Sequence, residues 1–92
     1  MHSLNRIRVK LIKKALIKKI EETITLDDVK EWLWEDFGIK VKSWNEASKF
    51  ILRDDVTISD IITFLLENDI EVSDDLFSNI DEVLKNKVNL RL

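Results

Sequence analysis

The chain has 92 residues, 36% of them charged, and a formal net charge of −3, which describes one small soluble globular domain with room for a single modest core. It has no cysteine, no proline and one glycine, Gly38; this excludes disulfides and thiolate metal sites and disfavours a turn-rich sheet fold. No run approaches the roughly 18 apolar residues of a membrane span, and lysines interrupt every apolar stretch near the N-terminus. Neither integral membrane association nor a secretory leader is expected, and the cytoplasm is the default location.

Charge is segregated along the chain. Residues 1–20 carry Arg6, Arg8, Lys10, Lys13, Lys14, Lys18 and Lys19 and no acid, while the rest has a balance of −10. Such asymmetry marks either a basic arm for an acidic partner or nucleic acid, or a segment that neutralises the acidic body within the fold.

In chain order, residues 1–24 read as a basic helix. Val9, Ile12, Leu16, Ile20 and Ile24 form one stripe at steps of three or four, and Leu4, Ile7, Leu11 and Ala15 form a second. The double stripe suggests burial on two sides or a contact with a partner, including self-association. A rival reading exists, because Arg6–Leu11 and Val88–Leu92 both alternate at period two and could pair as a short ribbon.

Residues 25–53 read as a first helical hairpin. Thr25 and Asp28 resemble a capping box, Leu26, Val29, Leu33 and Phe37 form the buried stripe, and Gly38 is placed to stop the helix in a left-handed cap. After the connector Ile39–Lys42, Ser43 and Glu46 match the capping-box pattern and open a helix with Ala47, Phe50 and Ile51 inward. Residues 57–87 read as a second hairpin. Thr57 and Asp60 open a helix buried through Ile58, Ile61, Ile62 and Leu65. Asn68 takes the cap role of Gly38, and Ser73 opens a fifth helix with Leu76, Phe77, Ile80, Val83 and Leu84 inward. The expectation is an all-α, compact five-helix single domain.

The two hairpins are copies of one pattern. Thr25, Asp28, Leu33 and Glu35 match Thr57, Asp60, Leu65 and Glu67; after one-residue gaps Ile39 and Val41 match Ile70 and Val72, and Ser43 matches Ser73. Several outward residues do not repeat: Trp34 becomes Leu66, Lys40 becomes Glu71 and Trp44 becomes Asp74.

Thr25, Leu26, Val29, Leu33, Phe37, Gly38, Ile39, Val41 and Ser43 give the segment Thr25–Leu52 a resemblance to the helix-turn-helix of mariner-type transposase DNA-binding domains, repeated less well over Thr57–Leu84. Transposases of this type carry two such units in tandem. The resemblance implies that the helix after Ser43 reads the major groove, with Lys40, Lys42, Trp44, Asn45, Ser48, Lys49 and Arg53 on or near it. The counterpart after Ser73 departs from a DNA reader, since Asp74, Asp75, Asp81 and Glu82 repel phosphate.

No catalytic set is assembled. The single histidine is His2, and without cysteine or an internal histidine the common nucleophile–base pairs cannot form. The acid pairs fit helix first turns or a solvated loop, and no metal or phosphate motif is present, so no cofactor is expected. Trp32 belongs in the core. Trp34 lies off the buried stripe, and its match to Leu66 favours cover by a neighbouring helix; exposed, it is an interface anchor, as is Trp44. Two functions remain. The first is a non-catalytic protein–protein interaction module, such as an adaptor, an inhibitor or an accessory or immunity-type protein. The second is a DNA-binding regulator or architectural protein that uses the basic first helix and the first hairpin.

Overall fold

Short polar side chains decide where three of the helices begin. Thr25, Ser43 and Thr57 hold extended backbone and turn their hydroxyl oxygens onto the amides of Asp28, Glu46 and Asp60, at 3.3, 3.3 and 3.0 Å. In this computed structural model, which describes residues 2–72 with side chains from Arg6 onward, these caps open α2 (Leu26–Phe37), α3 (Trp44–Ile51) and α4 (Ile58–Glu67). The long α1 (His2–Thr23) precedes them. The described residues are all-α, with four helices and no strand. Arg6–Leu11 is therefore helical, and the ribbon expected as an alternative does not form there. The other half of that ribbon, Val88–Leu92, lies outside the described residues, as do the helix expected from Ser73 and its apolar positions.

The three caps differ in completeness. Only Thr57 has the full reciprocal box, in which the Asp60 carboxylate accepts from the Thr57 amide at 3.0 Å. Glu46 is one methylene longer and reaches one residue further, accepting from the Lys42 amide at 2.6 Å. Thr25 has the forward bond alone.

Helix ends follow the repeat as well. Gly38 ends α2 with φ 67°, in the left-handed region. After α4 the left-handed residue is Asp69, with φ 61°, and not Asn68, whose φ is −97°. Asn68 is the C-cap residue of α4 as expected, but the left-handed conformation falls one residue later: once the gap is counted, Asp69 is the counterpart of Gly38. In both copies the next amide, Ile39 or Ile70, donates to the carbonyl of the matched leucine, Leu33 at 3.2 Å or Leu65 at 2.9 Å.

The core draws on every element. Leu16, Ile20, Leu33, Ile51, Ile61 and Leu65 are its largest fully buried side chains, with Val29 and Val56 beside them. Helix α1 packs on α3 and α4, and α2 packs on α3. Trp32 of α2 stacks on Phe64 of α4, with ring centroids 4.2 Å apart and planes 5° from parallel. These two residues occupy the same position of the two copies, so equivalent positions of α2 and α4 face each other. Trp32 is core as expected, and Phe64 joins it unforeseen.

Burial along α1 corrects the expected stripe. Leu16, Ile17, Ile20 and Ile24 are buried, but Val9, toward the N-terminus, is 39% exposed.

Replacing Gly38 by alanine should destabilise the fold by about 1–2 kcal/mol. Nothing lies within 4 Å of the added Cβ, so the cost is backbone strain alone. Gly38→Asp should lose less, since the equivalent Asp69 already holds this conformation. Urea unfolding of the two variants measures the difference.

Candidate functional site

The basic first helix divides into one buried cation and a set of exposed ones. Lys13, expected to belong to the basic arm, is only 2% exposed. It sits four residues after Val9 and three before Leu16, on the inward stripe itself. Its Nζ donates to the Arg53 carbonyl at 2.7 Å, and that oxygen also accepts from the Val56 amide at 3.2 Å. Lys13 thus ties α1 to the turn that follows α3, a usual place for a lysine near a helix C-terminus. Burial pushes its pKa below the ordinary 10.5, and Asp54, Asp55 and Asp60 partly oppose the shift. Its burial leaves it almost no surface to offer a partner.

Arg6, Arg8, Lys10, Lys14 and Lys18 are exposed, and Lys19 is half-buried. Arg6 and Lys10 line a groove of about 640 Å³ beside the α3–α4 turn, together with Val9, Arg53, Asp54 and Asp55. The groove carries both signs of charge. Arg53 pairs with Asp55 at 3.2 Å and lies 5.6 Å from the Phe50 ring centre. Both ion-pair partners are well exposed, so the pair adds little stability.

The candidate recognition helix, α3, is less open than its sequence suggests. Trp44 is half-buried against the core, Ser48 is half-buried, and Asn45 and Lys49 are exposed. Lys40 and Lys42 are exposed on the connector before it. The Glu46 carboxylate lies over the start of the helix, bound to the Lys42 amide.

Trp34 reverses its expectation. It is 53% exposed and not covered by a neighbouring helix, and the Lys40 ammonium stands 5.2 Å from its ring centre. Leu66 is 58% exposed. The match between positions 34 and 66 therefore holds, but it denotes shared exposure. Each lies two residues after a member of the Trp32–Phe64 stack, about 200° round its helix. The pair flanks the α2–α4 contact on its two outer sides.

Sequence reasoning missed a second groove, between α2 and α4. Asp28, Glu31, Glu35, Asp36 and Glu67 line about 240 Å³ above Trp32 and Phe64. The available signal was the spacing of Asp28, Glu31 and Glu35 at steps of three and four, beside a tryptophan that matches a phenylalanine. No helix among the described residues is long and apolar enough to cross a membrane. Comparison with family models, with curated proteins and with solved structures finds no match to this chain.

Since the folded state sheds the Lys13 proton more easily than the unfolded chain, the stability associated with this group is fully present above pH 10.5 and is lost as pH falls through the lowered folded value. Unfolding free energy should therefore rise through the alkaline window below 10.5, with that rise missing in Lys13→Met. At neutral pH the variant should stay within about 1 kcal/mol of the parent, because an apolar chain of similar length replaces a buried ammonium and Arg53 keeps its bond from Val56. Urea titrations across pH check both expectations.

Proposed function

We propose that this protein is a non-catalytic protein-binding module on a duplicated helical hairpin, of the adaptor, inhibitor or accessory kind, with Trp34 as its principal anchor. The exposure of Trp34 under Lys40 carries this reading. Lone exposed apolar residues need no explanation. Here, however, the same repeat position is exposed twice, once as tryptophan and once as leucine. Covering about half of a tryptophan's roughly 250 Å² is worth about 3 kcal/mol, enough for one anchor of a modest interface. Lys40, Lys42 and half-buried Lys30 lie on the connector and on the Trp34 side of α2, and they favour an acidic rim on the partner surface.

DNA binding through α3 has less support. Glu46 places a carboxylate at the helix start that would approach the duplex, and Trp44 is engaged with the core. Phosphate neutralisation dominates duplex affinity, and few cations surround this helix. The tandem helix-turn-helix resemblance remains the argument for that alternative.

Trp34→Ala should change the unfolding free energy by no more than about 0.5 kcal/mol, as expected for an exposed position. The same variant should lose a protein that the parent chain retains from an extract of its source cells and that mass spectrometry identifies. Trp34→Phe should keep part of the capture. Equal retention by parent and Trp34→Ala would remove the anchor, and a large loss of stability would place Trp34 in the core.

A further inference from the structure

Two described surfaces each carry a row of like charge. On α1, Arg6, Lys10, Lys14 and Lys18 recur at every fourth residue, and all four are exposed. Each step rises about 6 Å, so the cations make a continuous ridge about 18 Å long. None of the four makes an ion pair among the described residues, where the recorded pair is Arg53 with Asp55. Like charges at this spacing oppose one another, so the ridge weakens the helix that bears it. Glu22 follows Lys18 by one turn, and Asp54 and Asp55 stand at the groove that Arg6 and Lys10 line, so the chain itself offsets part of this cost; an anionic surface outside the fold offsets the remainder.

The groove between α2 and α4 is the complement. Its lining holds five carboxylates and no basic side chain, above the stacked Trp32 and Phe64. Asp28, Glu31 and Glu35 rise along α2 at about 4.5 and 6 Å, close to the rise of the cationic ridge.

We propose that the cationic ridge of α1 in one copy lies in the acidic α2–α4 groove of a second copy. Ridge against ridge and groove against groove both juxtapose like charges, so the complementary contact is ridge against groove. A pair that exchanges ridges closes on itself, and one-way insertion builds an open chain. A nucleic-acid duplex is the poorer occupant of the ridge, because the remainder of the chain, with its balance of −10, repels phosphate. The contact uses neither Trp34 nor Leu66 and is independent of the anchor proposed above. Exposed ion pairs are individually weak, so the association is weak and strongly screened by salt.

Sedimentation of the full chain tests this at about 0.01 M and about 1 M salt, where the screening length falls from about 30 Å to about 3 Å. The parent chain should associate at low salt and be monomeric at high salt. Lys10→Glu with Lys14→Glu, or separately Glu31→Lys with Glu35→Lys, should weaken self-association at least about tenfold, the sum of several weak exposed pairs. An equimolar mixture of the two reversed chains should associate again, because each now offers what the other lacks. Circular dichroism establishes that both reversed chains are folded, and Lys10→Gln with Lys14→Gln, a milder change, should give an intermediate loss. Trp34→Ala should associate as the parent does. A parent chain that stays monomeric at low salt overturns the proposal, as does a mixture that fails to restore association. Salt-sensitive binding of duplex DNA by a monomeric parent, lost on ridge reversal, would assign the ridge to nucleic acid instead.

Discussion

The arrangement turns on the parallel stack of Trp32 on Phe64. The stack brings α2 to α4, while the broader packing of α2 is on α3. The aromatic contacts then continue edge to face, from Trp32 to Phe37 at 5.9 Å and from Phe37 to Phe50 at 5.5 Å. Four rings on three helices therefore form one connected series. Each such pair is worth about 0.5–1.5 kcal/mol beyond the area it buries, a large share of what a small domain can hold in reserve. The same stack is the floor of the acidic groove, so the contact that joins the copies also shapes a surface.

How much of this was legible depends on the range of the interaction. Caps are local: a hydroxyl and an amide three residues away suffice, and Thr25, Ser43 and Thr57 all behave as their spacing predicts. The left-handed stop was legible at Gly38, where the residue type announces it. At Asp69 it was misplaced by one residue, because an asparagine stood nearby and the gap between the copies was not applied to the cap. Periodicity found the inward residues of α3 correctly and missed Phe64, which the helix period places beside Ile61 and Leu65. The exposure of Trp34 was not legible. Whether a flank residue is covered depends on the helix beside it, and no pattern within α2 reports that.

Lys13 shows how a charge can mislead when residues are counted by type. It stands among six other bases and was read with them, yet its position is inward. A long side chain can bury its stem and still reach a carbonyl, and here the carbonyl belongs to the turn 40 residues later in the chain. The remaining exposed bases keep the ridge, so removing Lys13 from the arm sharpens the surface without dissolving it. Charge segregation along the sequence therefore carries over in part into space: α1 bears the row of exposed cations and the α2–α4 groove bears five carboxylates, while Asp54 and Asp55 stand beside Arg6 and Lys10.

The duplication sorts positions in a way that sequence comparison alone did not resolve. Inward and capping positions repeat because the same fold problem is solved twice. Outward positions split into two groups. On the outer flanks chemistry diverges, as Trp34 and Leu66 or Lys40 and Glu71 show, though exposure at 34 and 66 is shared. Beside the stack, Glu35 matches Glu67, and both stand at the groove. The matched acids do not serve packing, since both are exposed, nor capping, since both lie in the last turn of a helix, where the dipole disfavours an anion. The matched pair thus supplies two of the five carboxylates that line the α2–α4 groove.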